Sequence, residues 1–494
     1  MIDSRALVIG LGDSGLAMAR FFAARGRAVR VVDTRAEPPR LAELRDEWPE
    51  IEFVAGDFSE AMLDEVQIVA LSPGLSPTRS AAAPLVKAAL KRKVEVVGEI
   101  ELFARELARL KAEQGYAPMI VGVTGTNGKT TTTRLAGFMI EAAGKRVAVA
   151  GNISPAALDV LRTRLAENDL PDVWVLELSS FQLATTRSLV CDAAAVLNVT
   201  EDHLDWHSTT ESYVAAKARI FTAKTARVLN RNDSVVAAMT ARNANVTTFG
   251  ADAPAAPNAY GIVSDQGVAW LAWAEAADTS NRRKKSADQT LVSELLIHRL
   301  MPVDALAMRG IHNAMNALAA LALARAIGCA LAPMMHELRR YRGEPHRLQL
   351  IATVDGVEYY NDSKGTNVGA TVAAIEGLAA RRRKLIVILG GEGKGQDFSP
   401  LAAPVARHVR LAVLIGRDAS LIRQALQSKG VRVRIVGAAT LEKAVTLTAK
   451  HAKSGDAVVL SPACASFDMF RNYAHRGEAF ENAVREVAGA AQPC

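Results

Sequence analysis

The sequence predicts an α/β protein of three domains, which we place at residues 1–98, 99–343 and 344–494. A chain of 494 residues is long for one hydrophobic core, and a domain holds roughly 150 residues on average. In the first and last thirds of the chain, short apolar runs alternate with helical patterns, which is typical of parallel sheets covered by helices. The middle third carries a glycine-rich loop between an apolar run and a helical pattern, which indicates nucleotide binding.

The first domain is predicted from four apolar runs, at residues 7–9, 29–32, 68–71 and 94–97, with a helical pattern at 16–24 after the first. Strands and helices that alternate in this way form a parallel sheet. A Rossmann-like domain is therefore expected at the N-terminus.

A glycine-rich turn, Gly10-Leu11-Gly12-Asp13-Ser14-Gly15, follows the first of these runs, and Asp33 ends the second. This arrangement is close to a dinucleotide-binding fingerprint. Taken alone it fits a nicotinamide dehydrogenase, but any nucleotide diphosphate can occupy the same helix end. Ser72-Pro73-Gly74 follows the third run and is expected at the same edge of the sheet.

The second domain is predicted from a phosphate loop, Gly125-Thr126-Asn127-Gly128-Lys129-Thr130, between an apolar run at 119–123 and a helical pattern at 131–143. Glycines let backbone N–H groups face an anion, the lysine reaches terminal phosphates and the threonine hydroxyl can hold Mg²⁺. A strict motif of this class has glycine where this chain has Val123, so the loop is a compact variant. A central P-loop ATPase-like domain is expected.

Three further polar residues stand near this loop in the predicted sheet. Glu177 follows an apolar run at 173–176 and can pair with Thr130 as a Mg²⁺ ligand, although a surface glutamate at a strand end is the alternative. His203 follows another apolar strand. Lys217 lies on an otherwise apolar helix face, where most lysines extend their charge to solvent.

The third domain is predicted to begin after Arg342-Gly343-Glu344-Pro345, which ends a helix. Apolar runs at 385–389, 411–415 and 457–460 and an alternating pattern at 431–436 predict its strands.

Two segments before it have distinct compositions. Residues 251–290 are expected to form loops around a short strand at 269–273. The alanine-rich stretch 314–332 is expected to be a buried helix, because polar residues interrupt it and Pro333 follows it.

Composition limits the function classes. The net charge of +7 and the pI near 9.2 fit polyanionic small substrates, and the chain lacks the aromatic-interleaved basic patch of a nucleic-acid-binding protein. The basic run 282–285 is expected to be a solvated loop. Four dispersed cysteines predict neither a zinc site nor a disulfide framework. The N-terminus shows no secretory signal pattern, so a cytoplasmic protein without membrane insertion is expected.

A set of motifs in one order resembles the Mur ligase family, in particular its glutamate-adding branch. The resemblance runs from the first glycine-rich turn to Tyr473 and leaves out residues 251–290. The motifs are Gly125–Thr130, Leu176–Gln182, Asn198–His203, Gly310–Ala317, Pro345-His346-Arg347, Asn361–Asn367 and Ser461–Ser466.

The resemblance implies functional positions in all three domains. The uridine diphosphate of a nucleotide sugar would be held by Asp13, Ser14, Asp33, Thr34, Arg35, Ser72, Pro73 and Gly74, together with Asn152, Gln182 and His203. ATP would be bound by Gly125, Thr126, Asn127, Gly128, Lys129, Thr130, Thr131, Asn313, Asn316, Arg347 and Asp362. The incoming glutamate would be held by Lys364, Thr366, Lys394, Ser466 and Tyr473, where the family has phenylalanine at the last position.

The resemblance also implies the chemistry. Two Mg²⁺ ions are expected, with metal positions at Thr130, Glu177, His203 and Lys217, the last as a CO₂-derived carbamate. The catalytic residues would be Lys129, His203, Lys217 and Lys394. The substrates would be ATP, UDP-N-acetylmuramoyl-L-alanine and D-glutamate, joined through an acyl phosphate by a monomer with a hinge near 342–345.

Four alternatives are open at this point. Another acid–amino acid ligase, such as a folylpolyglutamate synthase or a ligase that adds a diamino acid, would use the same phosphate loop. A nicotinamide dehydrogenase would use the turn at Gly10 but leave Lys129 and Glu177 without a role. A non-catalytic P-loop switch would not depend on a nucleotide sugar. The choice between D- and L-glutamate does not follow from the residues alone.

Overall fold

The structure, a computed structural model, describes residues 5–241, 245–277, 295–308, 310–379 and 384–490. The predicted basic loop at 282–285 lies outside these residues. The chain forms two compact units. The first comprises Met1–Ser264, Trp270–Leu300 and Asn316–Leu338, and the second comprises Asp265–Ala269, Met301–Met315 and Arg339–Cys494.

The N-terminal part of the first unit is a parallel sheet covered by helices. Its strands are β1 (Arg5–Ile9), β2 (Val29–Asp33), β3 (Glu52–Ala55), β4 (Val66–Leu71) and β5 (Glu95–Val97), and its helices are α1 (Asp13–Ala23), α2 (Leu41–Glu47), α3 (Ala83–Lys91) and α4 (Glu99–Gln114), with a 3₁₀ turn at Glu60–Leu63. The strand order is β3-β2-β1-β4-β5, all parallel. The direction of winding changes between β1 and β4, which is where ligands bind to sheets of this kind.

The central sheet has nine strands. They are β6 (Met119–Thr124), β7 (Val147–Gly151), β8 (Val173–Glu177), β9 (Ala193–Val196), β10 (Ala226–Asn230), β11 (Val246–Phe249), β12 (Ala259–Asp265), β13 (Val268–Ala276) and β14 (Leu295–Pro302). The order is β14-β13-β12-β11-β10-β9-β6-β8-β7. Strand β13 contains the short strand predicted at 269–273 and is longer at both ends. The prediction of loops around it is wrong at Ala259–Asp265, which form β12.

The helices that follow β6 in the chain are mostly short. They are α5 (Lys129–Ala142), α6 (Ala157–Ala166), α7 (Ser180–Ala184), α8 (Leu204–His207), α9 (Thr210–Ala218), α10 (Ser234–Ala237), α11 (Ile311–Ala326) and α12 (Leu331–Arg340), with a 3₁₀ turn at Val303–Ala305. The predicted buried helix at 314–332 is confirmed as far as Ala326 by α11, whose residues Ala317–Ala324 are almost fully buried. Its predicted C-terminal end is wrong, because a second helix, α12, begins at Leu331 and contains Pro333 in its first turn. No helix among the described residues is long and apolar enough to cross a membrane.

Helix α4 packs into a hydrophobic core that extends from the first sheet to the central one. Its buried residues Ile100, Phe103, Leu107 and Leu110 recur at helical spacing and form one apolar stripe. Phe103 meets Trp174 of β8 edge to face, with 4.9 Å between the ring centroids. The same core holds residues of both sheets, so α4 packs with both of them within one unit.

The second unit contains a six-stranded sheet. Its strands are β15 (Gln349–Val354), β16 (Val357–Asn361), β17 (Leu385–Gly390), β18 (Val409–Ile415), β19 (Arg434–Gly437) and β20 (Ala457–Leu460), and its helices are α13 (Val368–Ala379), α14 (Ala402–His408), α15 (Ala419–Ser428), α16 (Leu441–His451) and α17 (Tyr473–Ala490), with a 3₁₀ turn at Ser399–Leu401. The order is β15-β16-β20-β17-β18-β19, and only β15 is antiparallel to its neighbour. Both faces are covered by apolar cores.

The α/β fold class and its three sheets confirm the prediction. The boundaries at 98/99 and 343/344 and the hinge near 342–345 stay predictions.

Candidate active site

The candidate site of the central sheet lies where four neighbouring strands end. Strands β9, β6, β8 and β7 are adjacent and parallel. The loops that follow their carboxyl ends therefore meet at one edge. At this edge lie Asn198, the phosphate loop, Glu177 and Asn152, and of these the sequence predicted that the phosphate loop and Glu177 lie together.

The phosphate loop is held open by glycines and by one asparagine. Gly125 and Gly128 have φ angles of +149° and +84°, which side chains disfavour. The Asn198 side chain accepts a hydrogen bond from the Asn127 amide at 2.8 Å and donates to the Asn127 carbonyl at 3.0 Å, while its own carbonyl accepts from the Thr126 amide. These contacts fix the conformation of the loop.

Lys129 begins α5 and folds back over the loop. Its Nζ donates to the carbonyls of Gly125 and Thr126, each at 2.9 Å. The ammonium group therefore lies at the mouth of the cradle, where a terminal phosphate would meet it. Thr130 and the buried Thr131 follow in the first turn of the same helix.

Asn316 lies against this loop from α11. A Cβ at Gly128 would come within 2.4 Å of the Asn316 Oδ1, so only glycine allows the amide to approach so closely. The contact places one of the predicted ATP-binding residues beside the phosphate loop. Asn313 is also buried, but it belongs to the second unit.

Glu177 is a buried carboxylate with one free oxygen. Asn152 donates to its Oε1 at 2.9 Å, and the Asn152 amide donates to the Glu177 carbonyl at 2.7 Å. Its Oε2 is buried without a hydrogen-bond partner among the described residues. Such an atom is costly unless something binds it, and Mg²⁺ prefers carboxylate, hydroxyl and phosphate oxygens. Glu177 and Thr130 therefore fit a Mg²⁺ site completed by nucleotide and water.

The described side chains do not form a complete metal site without nucleotide. In the parts of the chain that the structure describes, no group of three or more His, Cys, Asp or Glu side chains could hold a metal ion. Mg²⁺ commonly uses one or two carboxylates plus substrate phosphates, so the observed arrangement suits a metal that arrives with nucleotide.

Lys217 is buried, contrary to the ordinary expectation for a helix lysine. Its Nζ donates to the Gly125 carbonyl at 2.9 Å, which Lys129 also contacts, and lies 4.4 Å from the centroid of the Tyr213 ring. Burial lowers the pKa of the Lys217 amine well below its ordinary value, and the charge of Lys129 lowers it further. The amine is therefore poised to be neutral, the state that reacts with CO₂.

His203 lies near the same pair of lysines. It has a left-handed backbone with φ of +55°, its ring packs edge to face on Phe181 at 4.7 Å, and its Nε2 is 3.6 Å from Asp202. Burial lowers the pKa of His203 and Asp202 opposes the shift. A neutral imidazole is the form that can bind a metal.

The glycine-rich turn of the first sheet is shaped by close backbone contacts. Gly10 has a φ of +88°, and the Ser72 hydroxyl donates to its carbonyl at 2.7 Å. Asp33 accepts from the Leu11 amide at 2.8 Å and from the Arg35 guanidinium at 2.7 Å. The turn, the end of β2 and the loop after β4 are thus brought together as predicted.

Replacing Gly15 with alanine tests whether this turn depends on its glycine. A Cβ at Gly15 would lie 1.9 Å from the Gly10 carbonyl oxygen, so the backbone must shift. We expect Gly15→Ala to lower the free energy of unfolding by about 1–3 kcal/mol, as overpacking does. Gly12→Ala is the matched control, because a Cβ there meets nothing within 4 Å and its φ of −96° suits any residue. Equal denaturation midpoints for the two variants would contradict the close approach.

Most of the other residues predicted to bind uridine diphosphate lie in the glycine-rich turn or in the loops after β2 and β4, whereas Gln182 lies elsewhere. Asp13 pairs with Arg40, Thr34 and Arg35 are exposed, and the Pro73 carbonyl accepts from the Trp206 indole. Ser14 in the turn is half-buried, and Gly74 in the loop after β4 is exposed. Gln182 lies apart from these, buried in the first turn of α7, where it forms a capping box with Ser179.

In the second unit, the loops after β16, β20 and β17 carry the predicted residues. Asp362 is buried and accepts from the Ser461 hydroxyl at 2.7 Å and the Leu348 amide at 3.1 Å. Burial raises the pKa of Asp362 to about 7. Arg347 lies near enough to oppose this shift in pKa.

The predicted glutamate positions lie on these loops. The Lys364 ammonium lies 3.7 Å from the centroid of the Tyr473 ring, a cation–π contact that phenylalanine would also provide. The Thr366 amide donates to the Lys364 carbonyl, Ser466 is buried, and Lys394 is exposed with a φ of +52°.

Three residues that organise these sites were not among the predicted site positions. Asn198 fixes the phosphate loop, and the Tyr213 hydroxyl lies 3.0 Å from the Thr126 hydroxyl. Arg476 is almost fully buried and donates to the Ser363 and Cys464 carbonyls, joining the loops after β16 and β20. The motif Asn198–His203 contained a signal for the first of these. Nothing local to the sequence marks Arg476.

Three Mur ligase domain families match most of this chain. The Mur ligase MurD-like N-terminal domain matches residues 4–98, the Mur ligase middle domain 123–324 and the Mur ligase glutamate ligase domain 346–464. A curated protein of Ralstonia nicotianae, named UDP-N-acetylmuramoylalanine–D-glutamate ligase, is 56% identical and covers 98% of this chain and 97% of its own. The chain belongs to the Mur ligase family.

Other relatives extend this assignment. A protein of the same name from Cupriavidus pinatubonensis is also 56% identical, over 98% of this chain and 97% of its own. Among solved structures, the Mur ligase fold recurs in the UDP-N-acetylmuramate-alanine ligase of Thermotoga maritima, with a TM-score of 0.57 and 17% identity over 98% of this chain and 99% of that one. This structural likeness supports the fold alone.

Proposed function

We propose that this Mur ligase joins D-glutamate to UDP-N-acetylmuramoyl-L-alanine, using ATP and passing through an acyl phosphate. The observation that carries the proposal is the meeting of Lys129, Lys217 and Glu177 at the phosphate loop, in a chain 56% identical to curated ligases of that name. The chemistry of these three side chains and the names of the curated relatives thus indicate the same reaction.

The first step would be transfer of the γ-phosphoryl group to the substrate's alanine carboxylate. A carboxylate oxygen forms the new bond to phosphorus, the bond to the β–γ bridging oxygen breaks, and ADP leaves. Negative charge gathers on the phosphoryl oxygens, and we assign Lys129 to neutralise it. Its Nζ is already held at the mouth of the loop by two carbonyls, so little reorganisation is required.

Metal would support this step at two places. We assign Thr130 and Glu177 to one Mg²⁺ ion and His203 and a carbamate on Lys217 to a second, which agrees with the orphan Glu177 Oε2 and the lowered pKa of Lys217. When bound, Mg²⁺ withdraws charge from the phosphate oxygens.

The nucleotides would be oriented by the residues already described. We assign Asn316 to ATP, because its amide lies against Gly128, and Asn313, Arg347 and Asp362 to the same nucleotide by family resemblance. The turn at Gly10 and the loops around Asp33 and Ser72 would hold the uridine diphosphate, together with Asn152, Gln182 and His203.

The second step would be attack by the neutral amine of glutamate on the acyl carbonyl, after which phosphate leaves and an amide bond remains. We assign Lys364, Thr366, Lys394, Ser466 and Tyr473 to the amino acid. Lys394 and Thr366 would bind its carboxylates, and the Lys364 ammonium lies over the Tyr473 ring. Because ATP is a cytoplasmic metabolite, we place the reaction in the cytoplasm, carried out by a monomer of three domains bounded near residues 98 and 343.

Substrate-dependent phosphate release tests the proposal. With ATP, Mg²⁺ and UDP-N-acetylmuramoyl-L-alanine, we expect D-glutamate to produce release at least ten times faster than L-glutamate, D-aspartate or meso-diaminopimelate. Omission of the nucleotide sugar is the control and should abolish release. Equal release with meso-diaminopimelate would favour a diamino-acid-adding ligase, and release that needs no nucleotide sugar would overturn the proposal.

A further inference from the structure

The first turn of α4 carries two buried carboxylates that point to different neighbours. Glu99 and Glu101 have exposed fractions of 1% and 2%. They follow Gly98, where a Cβ would come within 2.2 Å of the Thr185 hydroxyl just after α7. The turn is therefore packed closely against the segment that begins at Glu177, the end of β8.

Glu101 has a complete set of partners. Its Oε2 accepts from the amides of Arg187 and Ser188 at 2.7 and 2.9 Å, and its Oε1 accepts from Arg105 at 2.8 Å. A buried carboxylate with three donors is well satisfied, so Glu101 is explained by the support it gives to one loop.

Glu99 supplies the N-terminal cap that α6 lacks. The residue at the cap position, Ala156, has no side chain that can accept a hydrogen bond. The Leu158 amide in the first turn instead donates to the Glu99 Oε1 at 2.9 Å. An anion at this end of a helix is also favoured by the helix dipole.

The other oxygen of Glu99 is not fully satisfied. Its Oε2 is buried without a hydrogen-bond partner among the described residues, although the Gln182 side chain faces the carboxylate. Burial raises the pKa of Glu99 to about 7, and the nearby Asp159 adds to the rise. A strained buried group of this kind is expected where function rather than stability sets the residue.

The two segments that Glu99 contacts both lead to Glu177. The start of α6 follows the loop from Asn152, whose side chain donates to the Glu177 Oε1. Gln182 forms the capping box of α7 with Ser179, two residues after Glu177. Glu99 therefore contacts one segment that follows Asn152, the residue that binds the Glu177 carboxylate, and another that follows Glu177 itself in the chain.

From this arrangement we infer that Glu99 is a positioning residue, which fixes the start of α6 and Gln182 and thereby aims the Glu177 carboxylate at the Mg²⁺ of bound nucleotide. The inference deepens the proposed function and rests on it. If the start of α6 and the Gln182 side chain moved, the Glu177 backbone would stay in the sheet. Its carboxylate would then turn away from the metal.

The test compares Mg²⁺ dependence in variants of the full chain. We expect Glu99→Asp, whose carboxylate is one methylene too short to reach the Leu158 amide, to raise the Mg²⁺ concentration for half-maximal phosphate release at least fivefold. The KM for D-glutamate should not change. Glu99→Gln keeps an accepting oxygen at full reach, so it should restore a Mg²⁺ requirement within twofold of wild type.

Glu101→Gln is the matched control, because it alters a buried carboxylate in the same helical turn that contacts neither α6 nor Gln182. It should leave the Mg²⁺ requirement unchanged whatever it does to stability. A wild-type Mg²⁺ requirement in Glu99→Asp, or the same increase in Glu101→Gln, would overturn the inference.

Calorimetric binding of ATP at varied Mg²⁺, with no amino acid present, separates this inference from the proposed function. A fivefold loss of Mg²⁺-dependent ATP affinity in Glu99→Asp supports the positioning role even if D-glutamate proves to be the wrong amino acid. Unchanged affinity in that variant counts against the positioning role even if the ligase assay succeeds.

Discussion

Lys129→Ala is expected to lower kcat by about 10²- to 10³-fold, since a preorganised group that stabilises transition-state charge is worth that much. In the structure the Lys129 Nζ donates to the carbonyls of Gly125 and Thr126, which hold its charge at the phosphate loop. Removing it leaves the phosphoryl charge without its nearest protein cation. Steady-state phosphate release with all three substrates measures the effect.

Lys145→Ala is the control for this prediction. Lys145 is exposed just beyond the other end of α5, so its loss removes the same charge from the protein without altering the loop. We expect wild-type turnover from it. Near-normal turnover in Lys129→Ala, with the control also normal, would mean that the loop does not hold the transferred phosphate.

Lys129→Arg should fail to restore the activity lost in Lys129→Ala. The Lys129 ammonium is a compact charge that donates to two neighbouring carbonyls, whereas a guanidinium is planar and broader. This outcome would tie the role to the geometry at Gly125 rather than to net charge.

The strand-end positions were predictable because local patterns mark them. The apolar runs before Gly10, Gly125 and Glu177 each end at a polar or glycine residue, and in a parallel sheet such ends share one edge. The contacts that fix these residues were less visible. Asn198 reaches Asn127 across 71 residues of sequence and Arg476 reaches Ser363 across 113, and no local pattern reports such pairs.

Elements with weak patterns were also missed. Strand β3 is only four residues long and none of them is buried, so its short apolar run is a weak signal. Strands β15 and β16 form an antiparallel pair, and β15 has no buried residue. The missing cap of α6 could be read from Ala156, but its replacement by Glu99, 59 residues earlier than Leu158, depends on the packing of α4.

Lys217 is expected to be carbamylated in the active enzyme and to be essential because of it. The neutral amine adds to the carbon of CO₂ and loses one proton, so that a neutral side chain becomes an anion. Three observations favour this: the amine is buried, its pKa is lowered by burial and by Lys129, and it lies at the Gly125 carbonyl beside the phosphate loop. An anion there would pair with Lys129, where an ammonium repels it.

Carbon-13 NMR with labelled bicarbonate measures the modification directly. We expect one carbamate signal in the wild type, lost in Lys217→Met, with activity lowered at least 10²-fold in that variant. Lys224→Met is the control, because Lys224 is an exposed lysine shortly after α9 and should leave both signal and activity intact.

The pH dependence of the signal and of activity follows from the state of the amine. Since its pKa is lowered in the folded protein, neutral amine is available at pH values where an ordinary lysine is almost fully protonated. Acidification protonates the amine and displaces CO₂, so signal and activity should fall together as the pH decreases. Stripping bicarbonate at constant pH should lower both, and restoring it should recover both. Full activity in Lys217→Met, or activity that persists after the carbamate signal has gone, would leave the burial of this lysine to be explained by packing on Tyr213 alone.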